Sequence, residues 1–244
     1  MNCYETTDEA YLGTLRDVFY NYEYNSAPRG LAIRERVDYG FRVENPSSES
    51  LVTADPERNL RLASYLASEN ALYASGANLA DDFVAASKFW KKLANPDGTI
   101  NSAYGFLIWF NKSHGNPKFS AQMMTPWEWA RESLLKDRDS RQAVMRFSLP
   151  EHAYPGVKDF TCTMHGDWLI RDDRLNLSMV MRSNDVVLGL AYDLPWFCGL
   201  MDKMLAELKP TYPNLTKGTY THYVHSIHAY ERDAATIKKM LGER

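Results

Sequence analysis

Residues 181–190 of the chain read Met181-Arg182-Ser183-Asn184-Asp185-Val186-Val187-Leu188-Gly189-Leu190. The arginine and the serine are adjacent, so they offer a fork of N–H donors and a hydroxyl group that together suit a phosphate. An arginine at the end of a strand is, however, more commonly a solvated charge. The interpretation of this stretch as a phosphate site therefore depends on which residues the fold brings beside it.

Two strand-like segments lead into this stretch, at residues 160–171 and 174–182. The pair Asp172-Asp173 separates them, and two-residue loops of this kind connect antiparallel strands in β-hairpins. The sequence therefore predicts a hairpin whose second strand ends at Arg182.

The hairpin is expected to bring Cys162 close to the arginine. Counting equal steps away from the turn, Cys162 lies opposite Ser183. Thr163 then lies opposite Arg182, and a β-bulge would shift both pairs by one residue. A cysteine in such a segment is more often a small buried apolar side chain than a nucleophile. The arginine favours the second interpretation, because a nearby guanidinium stabilises the thiolate and can lower the thiol pKa below ~8.5.

The composition is that of an ordinary globular protein, with 45% hydrophobic and 24% charged residues among 244. Residues 45–56 and 111–120 are loop-sized rather than linkers between domains, so we expect one domain over residues 1–244. The net charge is -3 and the pI is near 6.1, whereas a nucleic-acid-binding protein normally shows a basic surface. A small charged molecule is the expected partner.

The cysteines and the N-terminal residues indicate a compartment. Cys3, Cys162 and Cys198 are odd in number and widely spaced, which is not the pattern of a disulfide framework or of a metal-binding knuckle. The chain begins without the basic and apolar regions of a secretion signal, and no run approaches the ~20 apolar residues of a membrane span. We expect a cytoplasmic protein with reduced thiols and no membrane partner.

Apolar residues recur at helical spacing in five parts of the chain. Asp55 is suited to cap the first of these helices, which carries Glu69 on its apolar face and stops at Gly76. The others are expected over residues 79–93, from Thr125-Pro126, from Pro195 and from about Arg232. Together with the strands, these segments predict an α+β fold.

Residues 220–230 alternate as a strand does, so side chains two positions apart share a face. His228 and Tyr230 share their face with His222 and Ser226, whereas His225 points the other way. A zinc site built from the three histidines is therefore not expected, and we predict no metal.

These residues at these separations resemble the thymidylate synthase family. In the stretch quoted first, the matching positions are Arg182, Ser183, Asp185, Leu188 and Gly189, and the separation from Cys162 matches as well. Further matches upstream are Arg29, Glu69 with Gly76 and Asn78, Tyr104-Gly105 and Asp139-Ser140-Arg141. The resemblance implies an α+β fold in which a mixed or antiparallel sheet is packed with helices, in a homodimer.

The chain departs from the family pattern at four places. Gln142 stands where the family has a second arginine after the position of Arg141. Thr163 follows the nucleophile in place of a histidine, as expected of the hydroxymethylase branch. Ser226 replaces an aspartate, and the tail at residues 239–244 does not resemble the segment that closes over folate in thymidylate synthases.

Asp193 favours one branch of the family, the deoxycytidylate hydroxymethylases. The matching residue of thymidylate synthases is an asparagine, whose amide offers one donor and one acceptor to N3–H and O4 of uracil. Cytosine presents a bare N3 and an amino donor, so a carboxyl group that shares a proton with N3 is complementary. A wrong pairing would leave buried polar groups unsatisfied, at roughly 1–3 kcal/mol each. From the local sequence alone, a helix cap before Leu194-Pro195 is the favoured interpretation of Asp193.

The resemblance assigns roles to these and to further residues. Cys162 would add to C6 of the pyrimidine, and Asp193 would protonate N3. Glu69 would organise water and proton transfer, with Tyr104 as a further catalytic residue. The nucleotide-binding residues would be Arg29, Arg141 from across the dimer interface, Arg182, Ser183, Asn184, Asp185, Asp193, His228 and Tyr230. The folate-binding residues would be Asp185 and Trp90.

The implied activity transfers a one-carbon unit from the co-substrate 5,10-methylenetetrahydrofolate to C5 of dCMP, with hydration. The products would be 5-hydroxymethyl-dCMP and tetrahydrofolate, an activity by which bacteriophages supply modified cytosine for their DNA. Direct binding of nucleic acid is not expected. Two alternatives stay open: a methylating enzyme of thymidylate synthase type or a hydroxymethylase acting on dUMP or CMP, and a non-catalytic nucleotide-binding homologue.

Overall fold

The computed structural model describes residues 1–119 and 122–243. Its helices are α1 (Thr7–Tyr20), α2 (Pro56–Ser75), α3 (Ala80–Phe83), α4 (Tyr104–Trp109), α5 (Pro126–Lys136), α6 (Leu190–Leu208) and α7 (Ala234–Met240). Its strands are β1 (Asn2–Thr6), β2 (Tyr24–Ser26), β3 (Ile33–Asn45), β4 (Val144–Arg146), β5 (Thr163–Arg171), β6 (Arg174–Asp185) and β7 (Thr216–Tyr230).

The strands form one mixed sheet in the order β1-β3-β7-β6-β5-β4, and β2 pairs with β3. The pairs β1/β3 and β6/β7 are parallel, and the remaining pairs are antiparallel. The predicted α+β fold with a mixed sheet is confirmed. Because β7 lies between β3 and β6, its residue His228 pairs with Glu35 on one side and with Asp185 on the other.

The predicted hairpin is present as β5 and β6. Asp172 and Asp173 have φ values of 49° and 56°, the left-handed conformation that a tight two-residue hairpin turn requires. The expected register holds from this turn as far as the pair His165 and Val180.

Beyond that pair the register shifts, and Thr163 pairs with Met181. Met164 is the extra residue of this β-bulge, which adds one position to the first strand. The backbone N–H of Arg182 consequently donates to the carbonyl of Cys162 at 2.9 Å. The predicted pairing of Cys162 with Ser183 is therefore wrong by one residue, and Cys162 lies directly opposite Arg182.

The helix ends follow from local chemistry. Asp55 accepts two backbone N–H groups of the first turn of α2, and Gly76 ends that helix at φ 76°, a conformation that glycine adopts without a Cβ penalty. Thr125 and Glu128 form a reciprocal capping box at the start of α5. The C-terminal helix, α7, follows a 3-10 turn at Glu231–Asp233. The observed ends of α2 and the observed starts of α5 and α7 agree with the prediction.

The continuous helix predicted over residues 79–93 is wrong. The segment contains the short α3 and, further on, a 3-10 turn at Trp90–Lys92. Its start is tied to the turn that follows it, because the N–H of Ala80 donates to the carbonyl of Gly98 at 2.9 Å. Phe83 and Trp90 both reach the core, with ring centroids 5.1 Å apart, which accounts for the helical spacing of apolar residues.

The helix predicted to begin at Pro195 begins earlier, at Leu190, with Pro195 inside it. Pro195 is the sixth residue of α6, so the helix lacks the hydrogen bond from that position to the carbonyl of Ala191, while the fixed φ of proline is compatible with the helical backbone. Gly189 occupies the cap position and makes no side-chain cap. Asp193 therefore lies in the first turn of α6 rather than at a helix cap.

The core lies between the sheet and the helices, and its buried apolar side chains form one cluster. Trp168 of β5 and Phe197 of α6 are among its fully buried members. Helix α1 contributes Tyr11 and Leu15, both with 0% exposure, although neither α1 nor β3 was predicted from the sequence. None of the helices within residues 1–119 and 122–243 is long and apolar enough to cross a lipid bilayer.

The first predicted loop, residues 45–56, is irregular over residues 46–55, whereas Asn45 ends β3 and Pro56 begins α2. The second is irregular over residues 111–119, apart from an isolated bridge between His114 and Met124. Ser120, which completes the second predicted loop, lies outside the described residues, as does Arg244 at the end of the tail.

Candidate active site

Cys162 and Arg182 face each other where the hairpin ends. Nη2 of Arg182 lies 3.5 Å from Sγ of Cys162, and Nε of the same guanidinium donates to the carbonyl of Thr161 at 3.1 Å. Nη2 also donates to the carbonyl of Phe160, and the guanidinium lies over the ring of Phe160 at 4.9 Å. These contacts fix the guanidinium beside the thiol, as the sequence predicted.

The pKa of Cys162 is nevertheless raised above its ordinary value. Burial of the thiol is the largest cause and outweighs the lowering effect of Arg182, while Asp193 raises the pKa further. The expectation that the arginine would hold the pKa below that of a free thiol is wrong, because desolvation opposes the charged form. At neutral pH the unliganded protein holds a thiol at this position rather than a thiolate.

Two further arginines differ in their relation to Cys162. Arg29 lies on an exposed turn with φ 55° and is close enough to Cys162 and Tyr230 to lower the pKa of both. Arg141 is exposed in the segment between α5 and β4. Gln142, beside it, accepts a hydrogen bond from the indole of Trp129 through its backbone carbonyl at 2.8 Å.

Asp193 is a half-buried acid in the first turn of α6. Its Oδ2 accepts a hydrogen bond from Nδ2 of Asn184 at 3.2 Å. Burial raises its pKa well above the ordinary value, and the charge of Glu69 raises it further, whereas the hydrogen bond from Asn184 acts in the opposite direction. The carboxyl group therefore keeps its proton to a higher pH than an ordinary aspartate does, and in that form it can donate as well as accept.

Glu69 lies buried on α2, with 6% of its surface exposed. Tyr65, one turn earlier, donates to its carboxylate at 3.0 Å, and the indole of Trp90 donates to the hydroxyl of Tyr65 at 2.9 Å. Burial raises the pKa of Glu69 to about 7, against the lowering effect of Tyr65 and Tyr73. A carboxyl group with such a pKa can both take up and release a proton near neutral pH.

Tyr65 was not selected from the sequence as a functional residue. The signal that could have found it is the i,i+4 spacing from Glu69, which places the two side chains on the same face of a helix. Trp90 was assigned to folate, and the structure connects it to Glu69 through Tyr65.

Tyr104 lies buried at the start of α4, and its ring stacks on that of Tyr73 with centroids 6.1 Å apart. Its electrostatic neighbours include Asp193 and Cys162, both of which raise its pKa after burial. The Tyr104-Gly105 pair has a packing reason, because a Cβ at Gly105 would come within 2.3 Å of the carbonyl oxygen of Tyr73. The close approach of α4 to α2 thus requires glycine after the tyrosine.

Asp185, at the end of β6, is half-buried, and its Oδ1 accepts the backbone N–H groups of Val187 and Leu188 at 2.7 and 3.2 Å. Ser183 and Asp185 pair with Ser226 and His228 of β7. These pairs bring Ser183, Asp185 and His228 to one end of the parallel strands β6 and β7.

His228 and Tyr230 lie together at the end of β7, with ring centroids 5.3 Å apart. Burial lowers the pKa of His228, so its imidazole is neutral at neutral pH. His225 lies on the opposite face, exposed, with its Nδ1 3.0 Å from a carboxylate oxygen of Asp38. Within the described part of the chain, no three His, Cys, Asp or Glu side chains are grouped so as to hold a metal ion.

The sequence model of the thymidylate synthase family matches residues 9–244. The chain therefore belongs to the thymidylate synthase family.

Individual relatives are more distant and match part of the chain. The deoxycytidylate 5-hydroxymethyltransferase of Enterobacteria phage T6 is 31% identical over 151 residues, which are 59% of this chain and 57% of that protein. The thymidylate synthase of Clostridium beijerinckii is 24% identical over 165 residues, 64% of this chain and 52% of that protein. The chain thus spans little more than half the length of these curated relatives.

The fold is similar to that of a solved structure over almost the whole chain. The thermostable thymidylate synthase A from Bacillus subtilis superposes with a TM-score of 0.72 at 18% sequence identity, covering 98% of this chain and 85% of that one. This likeness establishes the fold.

Proposed function

We propose that the chain is a deoxycytidylate 5-hydroxymethyltransferase, a one-carbon transferase formed by a single domain over residues 1–244. It would convert dCMP, 5,10-methylenetetrahydrofolate and water into 5-hydroxymethyl-dCMP and tetrahydrofolate, as a homodimer in the cytoplasm. The observation that carries the proposal is the half-buried carboxyl group of Asp193, whose pKa is raised by burial and which shares a site with the thiol of Cys162 and the guanidinium of Arg182.

The carboxyl group of Asp193 suits the edge of cytosine. A protonated carboxyl donates through one oxygen to the bare N3 and accepts through the other from the 4-amino group. With the carboxyl proton on the oxygen beside N3, uracil, which presents N3–H and O4, would leave a donor facing a donor. Unpaired buried polar groups cost roughly 1–3 kcal/mol each, which is enough to discriminate between the two bases by an order of magnitude or more.

The relatives support the same choice of substrate. The phage T6 and T4 proteins that match this chain at 31% and 30% identity carry the name deoxycytidylate 5-hydroxymethyltransferase. The thymidylate synthase of Clostridium beijerinckii matches at 24% identity.

Cys162 would act as the nucleophile. C5 of a pyrimidine is a poor nucleophile, and addition of Sγ to C6 pushes electrons into the ring so that C5 becomes reactive. Since the resting group is a thiol, its proton must leave when the nucleotide binds. Arg182, 3.5 Å away, stabilises the thiolate formed. Asp193 would give its proton to N3 as negative charge develops on the ring.

The co-substrate 5,10-methylenetetrahydrofolate would supply a one-carbon unit at the oxidation level of formaldehyde. C5 would bond to this carbon and lose its proton, and tetrahydrofolate would depart with the electrons of the broken C–N bond, leaving an exocyclic methylene group on C5. Addition of water to that methylene, with departure of Sγ from C6 as a thiolate, would leave a hydroxymethyl group. Glu69 would hold the water and exchange protons with it, because its pKa of about 7 suits general acid–base catalysis at neutral pH.

The sugar and phosphate would be held at the end of β6 and β7. Arg182 and Ser183 supply N–H and hydroxyl donors on β6, and Arg29 adds a positive charge on the same side as Cys162. His228 and Tyr230 lie side by side on β7 and suit a sugar hydroxyl. Arg141 would act across a dimer interface, on the phosphate bound by a second copy.

Asp185 and Trp90 fit a folate in part. Among the described residues, backbone N–H groups engage Oδ1 of Asp185 and not Oδ2, so the second carboxylate oxygen can accept from a pterin. Trp90 has 8% of its surface exposed, and its neighbour Phe89 is 55% exposed, which gives an apolar edge for a flat ring. Asn184 is buried behind Asp193 and would act on the nucleotide through that residue.

Covalent trapping tests whether the site is catalytic. The wild-type protein would be incubated with 5-fluoro-dCMP and 5,10-methylenetetrahydrofolate, and the adduct located by peptide mass spectrometry. Fluorine cannot leave C5 as a cation, so the complex should stay covalently attached to Cys162. Cys162→Ser should form no adduct, whereas Cys3→Ser, altered at an exposed cysteine, should form it as the wild type does. Nucleotide binding without any adduct in the wild-type protein would favour a non-catalytic nucleotide-binding role.

A further inference from the structure

A chain of three buried polar side chains lies behind Asp193. Tyr220 and His222 of β7 have 0% exposure, and Asn184 near the end of β6 has 3%. The hydroxyl of Tyr220 lies 2.7 Å from Nδ1 of His222. Nδ2 of Asn184 lies 3.5 Å from Nε2 of His222 and 3.2 Å from Oδ2 of Asp193. Polar groups buried in an apolar core are costly unless they are paired. A functional role would explain why these three side chains are polar.

His222 is neutral at every pH at which the protein is expected to work. Its ring stacks on Phe41 with centroids 5.1 Å apart and an interplanar angle of 16°, and burial lowers its pKa to about 3. A neutral imidazole has one N–H donor and one bare nitrogen. The two ring nitrogens of His222 must therefore play opposite roles toward Tyr220 and Asn184.

The amide of Asn184 decides which nitrogen carries the hydrogen. Its nitrogen has two hydrogens and faces two strong acceptors, Oδ2 of Asp193 and Nε2 of His222. Nε2 is then the bare nitrogen, and Nδ1–H of His222 donates to the hydroxyl of Tyr220. The sulfur of Met181, 2.9 Å from the same amide nitrogen, is a weak acceptor and does not alter this order.

The amide oxygen of Asn184 points away from Asp193. It is buried with no hydrogen-bond partner within the described residues, and a Cβ at Gly189 would come within 2.4 Å of it. The opposite arrangement would have the amide turned over and Nε2 of His222 protonated. Asp193 would then have to donate its proton inward to Asn184, away from a bound base.

We propose that Asn184, oriented by His222, is a positioning residue that keeps Oδ2 of Asp193 as an acceptor and leaves the carboxyl proton on Oδ1. This inference rests on the proposed function, because a proton on Oδ1 serves a base with a bare N3. Oδ2 has two lone pairs, so it can accept from Asn184 and from the 4-amino group of cytosine at once. A uracil N3–H would meet the proton on Oδ1, and the pair Asn184 and His222 therefore acts against dUMP.

The variant Asn184→Leu tests this role, because leucine has nearly the same shape and no N–H group. Dissociation constants for dCMP and dUMP would be measured together with the thermal midpoint. We expect the preference for dCMP over dUMP to fall by about three- to tenfold, the equivalent of one hydrogen bond. If the binding of dCMP and of dUMP were weakened by the same factor, the role of Asn184 would be merely structural and the inference would be overturned. A preference for dCMP that is unchanged for any other reason would overturn it as well.

The wild-type protein separates this inference from the proposed function. If it does not prefer dCMP over dUMP, the proposed function fails and the inference fails with it. If it prefers dCMP and Asn184→Leu keeps the full preference, only the role of Asn184 fails.

A spectroscopic measurement covers the case in which Asn184→Leu does not fold. Nitrogen-15 NMR of histidine-labelled wild-type protein, with His222→Phe used to assign the signals, reports which ring nitrogen carries hydrogen. We expect His222 to be protonated on Nδ1 and bare on Nε2, and the reverse tautomer would overturn the inference. His222→Phe should also lose part of the preference for dCMP, because phenylalanine cannot hold the amide in one orientation; retention of the full preference would count against the proposal.

Discussion

The guanidinium of Arg182 lies 3.5 Å from the thiol of Cys162 on the neighbouring strand, yet burial keeps the pKa of that thiol above its ordinary value. The arginine lowers a pKa that would otherwise be higher still. A nucleophile of this kind is protected in the free protein, since a thiol reacts far more slowly than a thiolate.

Removal of the Arg182 charge should therefore raise the pKa of Cys162 further. In Arg182→Gln, the pH midpoint for alkylation of Cys162 by iodoacetamide should move to higher pH than in the wild type. The rate at Cys162 must be followed by peptide mass spectrometry, because Cys3 is exposed and would react with the same reagent. Arg174→Gln, at the exposed turn of the same hairpin, is the matched control. A midpoint that stays in place or moves to lower pH contradicts the electrostatic account.

Asp193→Asn should change the preferred base. The amide offers a donor and an acceptor that match O4 and N3–H of uracil, so preference should move from dCMP toward dUMP by at least about tenfold in kcat/KM. Asp81→Asn, whose side chain is 82% exposed, serves as the control and should leave selectivity unchanged. Unaltered selectivity in Asp193→Asn would remove that residue from base recognition.

Glu69 should make the stability of the protein depend on pH. Its pKa is about 7 in the folded protein against an ordinary 4.5, so the folded state binds more protons than the unfolded chain between these values. The free energy of unfolding should consequently decrease as the pH rises through this window and level off above it.

Glu69→Gln removes this dependence. The free energy of unfolding of the variant minus that of the wild type would be measured by urea denaturation at about pH 4 and about pH 8. This difference should be more favourable to the variant at the higher pH, by roughly 3 kcal/mol. Its turnover should fall by about 10²–10⁴-fold if Glu69 carries the proton transfer. Glu49→Gln, at an exposed loop position, controls for loss of a carboxylate. Parallel stability curves for Glu69→Gln and the wild type would show that the acid is not buried in its neutral form.

The parts of the fold that obey local rules could be predicted from the sequence. The caps at Asp55 and Thr125, the stop at Gly76 and the turn at Asp172-Asp173 each depend on a few adjacent residues. The register at Cys162 could not be predicted, because the bulge at Met164 is set by how the whole hairpin packs. The start of α6 was missed for a similar reason, since Pro195 is tolerated inside the helix.

The candidate site shows the same division. The predicted hairpin placed Cys162 beside Arg182, and in the structure the two side chains are in contact. The predicted direction of the shift in the pKa of Cys162 was wrong, because the local sequence does not show how far the surrounding elements bury the thiol. Asn184 and His222 meet behind Asp193 only because β6, β7 and α6 converge there, and no spacing in the sequence reports that contact.

Product analysis tests the central claim most directly. The wild-type protein would be incubated with 5,10-methylenetetrahydrofolate and, separately, with dCMP, dUMP and CMP, with products weighed by mass spectrometry and dihydrofolate assayed. We predict that dCMP gains one CH2O unit and that no dihydrofolate is formed. Methylated dUMP accompanied by dihydrofolate would contradict the account.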